Sequence, residues 1–140
     1  MKDALRILIV EDERVVARSI AVMLGDRASK VTRAANGWQA LIRIGTATKP
    51  FDVIITDHRM PRMTGLQFVS RLREQNVAGK IMVLSGHLTD NDTSAYEKLK
   101  VDVIMSKPFG LAELQQAMAV LGMPSNRLPF IADGNSSNSV

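Results

Sequence analysis

Short apolar runs alternate with amphipathic stretches along most of the chain. Leu5 to Val10 is apolar almost throughout, the pattern of a strand covered on both faces at the centre of a parallel sheet. From Asp12 the period changes: Val16, Ile20, Met23 and Leu24 share one helical face until Gly25. Lys30 to Ala34 reads as a weaker, more polar strand nearer an edge. Asn36-Gly37 is a turn signal, and Ala40, Leu41, Ile44 and Ala47 give a second helix that must stop before Pro50.

Val53 to Thr56 is the next buried strand. After a loop holding Pro61 and Gly65, Leu66, Phe68, Val69 and Leu72 predict a third helix, and Lys80 to Leu84 a fourth strand. Leu88 to Lys100 is helical only weakly, with Ala95 and Leu99 its best apolar positions, so it is expected to be the least firmly packed helix. Val101 to Met105 reads as a fifth strand. Leu111, Leu114, Met118 and Leu121 define a last helix, ended by Gly122 and Pro124. Residues 1–122 are thus expected to form one domain. Residues 123–140, rich in Asn, Ser and Gly, are expected to be a disordered or loosely docked tail whose apolar handle is Leu128, Phe130 and Ile131.

Five strands alternating with five helices imply an α/β fold, a three-layer sandwich around a parallel sheet. Composition agrees: 46% of the 140 residues are hydrophobic but only 4% aromatic, so the core is built from aliphatic side chains and Met. The absence of cysteine excludes disulfides, thiolate catalysis and Cys-ligated metals, and suits a reducing cytoplasm. No apolar run is long enough for a membrane anchor. The net charge of +4 comes from basic residues scattered among acids, a solvated surface rather than a nucleic-acid footprint.

In a parallel α/β sheet, ligands bind beyond the carboxyl ends of the strands. The first predicted strand ends in Glu11-Asp12, the third delivers Asp57, the fourth Ser85 and the fifth Lys107, while the second ends in nothing comparable. Three crowded carboxylates call for a cation, and hard oxygen ligands favour magnesium. Lys107 can meet a phosphate as a compact point charge and Ser85 can donate to a phosphoryl oxygen, leaving Asp57 to face the phosphorus as nucleophile. Taken singly, Asp12, Asp57 and Ser85 are also ordinary caps or turn residues and Lys107 an ordinary surface lysine; their joint placement on one rim favours chemistry. His58 and His87 lack further ligands at a metal-binding spacing and read as solvent-facing loop residues, His87 bordering the phosphoryl site.

The acid pair Glu11-Asp12, the block "DHRMPRMTG" from Asp57 to Gly65, Ser85 after an apolar strand and "KPF" from Lys107 to Phe109 together resemble the receiver domain of bacterial two-component response regulators, over about Leu5 to Leu121. The resemblance implies strand order 2-1-3-4-5, and phosphorylation of Asp57 by a sensor histidine kinase or histidine phosphotransfer protein. It implies Mg2+ held by Glu11, Asp12, Asp57 and the backbone carbonyl of Arg59, and catalytic support from Lys107 and Ser85. It further implies a cis Lys107-Pro108 bond, a cytoplasmic signalling phosphoacceptor rather than an enzyme with a turned-over substrate, and an output surface that includes Leu88 to Lys100. No direct contact with nucleic acid or membrane is expected, and homodimerisation is left open.

Two positions depart from that pattern. Ile104 stands where the family usually has Tyr or Phe, which puts an aromatic switch in doubt and motivates the alternative of a degenerate receiver acting as a phosphorylation-independent docking module. Arg59 is a long cation over the expected site, and is expected to alter the lifetime of a phosphoryl group. A haloacid dehalogenase-type phosphatase needs an acid where Arg59 stands, and a dinucleotide site needs glycines where "EDERVVARS" places acids.

Overall fold

The computed structural model describes residues 5–25 and 28–122. The expected alternation is present, as β1 (Leu5–Val10), α1 (Arg14–Leu24), β2 (Ala28–Ala34), α2 (Gly37–Thr46), β3 (Val53–Asp57), α3 (Gly65–Glu74), β4 (Lys80–Ser85), α4 (Asp90–Lys98), β5 (Val103–Ser106) and α5 (Leu111–Val120). All neighbouring strands pair in parallel, in the order β2-β1-β3-β4-β5. The three-layer α/β sandwich expected from the sequence is therefore the observed architecture. The polar second strand is at an edge, and the three most apolar strands occupy the centre.

The pleat of the central strands divides their side chains between two cores. Ile7, Ile9, Val53, Ile55, Met82 and Leu84 point to one face, where Ala17, Ile20 and Leu24 of α1 and Leu114, Ala117 and Met118 of α5 cover them. Leu8, Val10, Ile54, Ile81 and Val83 point to the other, under Ala40 of α2, Phe68, Val69 and Leu72 of α3, and Tyr96 of α4. Side chains such as Ile54 and Leu72, fully buried, each contribute about 1.5–3 kcal/mol through burial.

Local chemistry fixes the element ends. Asn36, read as a turn residue, caps α2 by accepting from the Gln39 amide at 2.9 Å. Thr64 with Gln67 and Thr89 with Asp92 form reciprocal capping boxes that start α3 and α4. Gly25 ends α1 with φ 58°, a left-handed turn that suits glycine.

Several expectations shift. Helix α1 begins at Arg14 with Glu13 as its cap, so Asp12 is in the loop and free to serve the site. Strand β2 starts two residues earlier than read and β5 two residues later. The late start has a cause: Asp102 turns its carboxylate back to accept from the Ile81 amide at 2.8 Å, so the segment before Val103 belongs to the connection. Leu111 is 48% exposed, and Ala117 takes the place assigned to it on the buried face of α5. Helix α4 is indeed sparsely apolar, but its buried residue is Tyr96, with Ala95 and Leu99 only half-buried. Residues 123–140, expected to form a tail, are outside the described residues.

Candidate functional site: an acidic cleft at the carboxyl ends of the strands

Parallel pairing brings the ends of β1, β3, β4 and β5 to one rim. There, an open cleft of about 650 Å3 is lined by Glu11, Asp12, Asp57, Arg59, Ser85 and Lys107, together with His58 and His87. All six residues singled out from the sequence thus meet in one place. Asp57 terminates the fully buried strand β3 and is itself only 3% exposed. Its backbone is held from both sides. The Thr56 hydroxyl donates to its carbonyl at 3.0 Å, and the next amide, of His58, donates to Leu84 on β4 at 2.9 Å.

The Lys107 ammonium stands 2.7 Å from Asp57 Oδ1 and 3.3 Å from Glu11 Oε1, drawing together residues 96 positions apart. Asp57 Oδ1 is buried, and the Lys107 ammonium is the charged donor it faces. Burial works against the Lys107 ammonium, but Asp57 and Glu11 outweigh it and hold its pKa above the usual value. The Glu11 carboxyl, 2% exposed, is pushed above its ordinary value first by burial and then by Asp57, against the opposing pull of the Glu13 amide and Lys107. The Lys107-Pro108 bond is cis, as the resemblance implied.

Carboxylate oxygens of Glu11, Asp12 and Asp57 lie within 4.8 Å of one another. A single partly exposed ammonium beside three acids leaves excess negative charge. Three converging carboxylates with that excess fit a hard divalent cation taking oxygen ligands. Arg59 is exposed at the rim. Ser85 is 7% exposed and its hydroxyl accepts from the His87 amide at 3.0 Å, leaving its proton free to donate.

Three features were not legible. Strand β2 was read as ending in nothing comparable to the other strands, yet its Arg33 donates from Nε to the Glu11 carbonyl at 3.0 Å and from its terminal nitrogen to the Asp12 carbonyl at 2.9 Å. It clamps the acid-bearing loop from the neighbouring strand, and one arginine on an edge strand carries no sequence signal for this. His58, read as solvent-facing, is instead only 15% exposed at its side chain, and its Nδ1 lies 2.6 Å from the Tyr96 hydroxyl. Gly65 permits the turn to pass over the site: a β-carbon there would lie 2.6 Å from the Asp57 carbonyl oxygen and 2.6 Å from the Tyr96 hydroxyl.

The sequence model of the response regulator receiver domain matches residues 7–119. The chain belongs to the response regulator receiver domain family. The receiver is 35% identical over 118 residues to the alkaline phosphatase synthesis transcriptional regulatory protein SphR of Synechococcus elongatus, covering 79% of this chain and 46% of that protein. It is 33% identical over 118 residues to the two-component response regulator ORR41 of rice, Oryza sativa subsp. japonica, covering 82% and 92%. Among solved structures, chemotaxis protein CheY4 of Vibrio cholerae matches with a TM-score of 0.76 at 27% identity, covering 85% of this chain and 99% of that one. Like SphR, several of the curated relatives are about twice the length that the receiver spans. No helix among the described residues is long and apolar enough to cross a membrane.

Proposed function

We propose that this receiver is a stoichiometric phosphoacceptor of a two-component phosphorelay, taking a phosphoryl group from a phosphohistidine onto Asp57. The observation that carries the reading is the buried Asp57 carboxylate, with the Lys107 ammonium 2.7 Å from its Oδ1 and the carboxylates of Glu11 and Asp12 beside it. A carboxylate oxygen of Asp57 attacks the phosphorus. The new O–P bond forms as the P–N bond breaks, and the departing imidazole nitrogen keeps the bonding pair and takes up a proton from solvent. Catalysis in such a transfer is mainly positioning and charge neutralisation. Lys107 offsets charge on the phosphoryl oxygens, and Ser85 donates its hydroxyl proton to one of them.

Glu11, Asp12 and Asp57, with the backbone carbonyl of Arg59, would hold Mg2+, which supplies neutralisation of phosphoryl charge when bound. Phosphate charge on Asp57 then biases a two-state surface that includes α4. The chain turns over no substrate of its own beyond gaining and losing this group. The donor is a sensor histidine kinase or phosphotransfer protein, and the setting is the cytoplasm.

The degenerate docking module is favoured by one observation, the half-buried Ile104 among the apolar residues under α3 and α4, whose side chain has no ring to rotate. Incubation with a radiolabelled phosphohistidine protein separates the two. The phosphoacceptor takes up label one to one, only with Mg2+, and releases it to hydroxylamine as an acyl phosphate does. A chain that takes no label from phosphohistidine or small phosphodonors is a docking module.

A further inference from the structure

We propose that Tyr96 is the positioning residue through which phosphorylation of Asp57 reaches α4, acting through His58; this rests on the phosphoacceptor reading above. Helix α4 has a single buried side chain, Tyr96, which is fully buried. Its hydroxyl does not end in solvent or on its own helix. It lies 2.6 Å from Nδ1 of His58, the residue that directly follows the acceptor, with the two rings edge to face at 5.5 Å.

The other imidazole nitrogen, Nε2, faces Asp92 Oδ2 at 3.5 Å. With the Tyr96 hydroxyl donating to Nδ1, the ring turns its Nε2 edge toward the Asp92 carboxylate. That same Asp92 oxygen accepts the Thr89 amide at 3.2 Å and so forms half of the capping box that starts α4. His58 therefore touches α4 at its cap and at its buried anchor, while Arg73 of α3 holds the far end through the Leu99 and Lys100 carbonyls at 2.7 and 2.8 Å.

The near end of the link is rigid. The His58 amide donates to Leu84 and its carbonyl accepts from Gly65 at 2.8 Å, so the backbone between Asp57 and His58 cannot absorb a disturbance by drifting. The imidazole can, and His58 is among the residues that line the cleft in which the phosphoryl group would be bound. Phosphoryl oxygens arriving there are strong acceptors and compete with Asp92 for the His58 N–H. Once His58 turns, the Tyr96 hydroxyl is buried without its acceptor, an arrangement that favours a shifted position of the ring and of the helix it anchors.

The test exploits the chain's composition, because Tyr96 is its only tyrosine. Protein grown with 3-fluorotyrosine gives one fluorine resonance, observed before and after acetyl phosphate and Mg2+, with phosphoryl occupancy read by intact mass. The expected result is a displaced resonance in phosphorylated wild type, none in Asp57→Asn, and in His58→Phe a displacement less than half of the wild-type value at matched occupancy. Phosphorylated wild type with an unmoved resonance, or His58→Phe responding as wild type does, overturns the inference while leaving the phosphoacceptor reading intact. Absence of any adduct in wild type overturns both. If His58→Phe does not fold, Tyr96→Phe keeps the ring and loses only the hydroxyl. Its α4 amide resonances, Asp90 to Lys98, should lose their response to phosphorylation, and a retained response refutes the link.

Discussion

Gly65→Ala sets two effects of opposite sign against each other. Gly65 is the first residue of α3, following the cap Thr64. In an unconstrained helix the exchange would stabilise by up to about 1 kcal/mol, through better propensity and a less flexible unfolded chain. Here the added carbon would stand 2.6 Å from the Asp57 carbonyl oxygen, 2.6 Å from the Tyr96 hydroxyl and 2.8 Å from the His58 α-carbon. Non-bonded carbon contacts are comfortable at about 3.5–4.0 Å, so the neighbours must retreat by roughly 1 Å. Two of the three are main chain in a segment pinned to β4 by the His58-to-Leu84 hydrogen bond, so the retreat is costly.

Overpacking of this kind costs about 1–3 kcal/mol, and a stretched or lost Gly65-to-His58 hydrogen bond adds about 1 kcal/mol. The clash outweighs the helix gain, and the predicted net destabilisation is about 1–3 kcal/mol. Because the retreating carbonyl belongs to the acceptor itself, the rate of phosphorylation from acetyl phosphate falls by up to about 100-fold, as expected for a 1 Å misplacement. Urea unfolding followed by far-UV circular dichroism, beside a mass time course of phosphorylation, reads both effects. A raised urea midpoint together with a wild-type phosphorylation rate would refute the reasoning.

Arg59→Ala removes the exposed cation at the rim and changes the lifetime of the phosphoryl group, followed by mass after removal of the donor; an unchanged lifetime removes Arg59 from the account. Arg33→Ala frees the Glu11 and Asp12 carbonyls and loosens the loop that presents the acids, so Mg2+ affinity measured by calorimetry falls about 10-fold or more. Unaltered affinity would show that the clamp is dispensable. Thr89→Ala removes half of the α4 capping box and costs about 1 kcal/mol, which is large for a helix with one buried side chain. Hydrogen exchange should quicken in α4 ahead of the other helices, and uniform quickening would contradict the view that α4 is locally weak.

How much of this was legible in the sequence depended on whether the cause was local. Apolar period located the elements firmly where a strand is buried on both faces or a helix on one, and only weakly at the polar edge strand β2 and the sparsely apolar α4. The four strand-end groups were found the same way, since parallel topology sends every carboxyl end to one rim. What escaped was contact between distant elements. Arg33 looked like any edge-strand arginine until the register of β1 against β2 set it opposite Ile9, from where its guanidinium reaches the Glu11 carbonyl. Tyr96 lies in a polar run whose apolar period is weak, and only the approach of α4 to the loop after β3 gives its hydroxyl a partner and its ring a core. His58 was misread for the same reason, its partner being 38 residues away. The start of β5 slipped by two residues because the returning Asp102 carboxylate, rather than apolar period, decides it.

The most direct test of the central claim is to phosphorylate the chain with acetyl phosphate and Mg2+, reduce with borohydride, and locate the modified residue by peptide mass. The account predicts one phosphoryl adduct in the wild type, reductive trapping at Asp57, and no adduct in Asp57→Asn. A wild type without an adduct, or one whose adduct persists in Asp57→Asn, would contradict it.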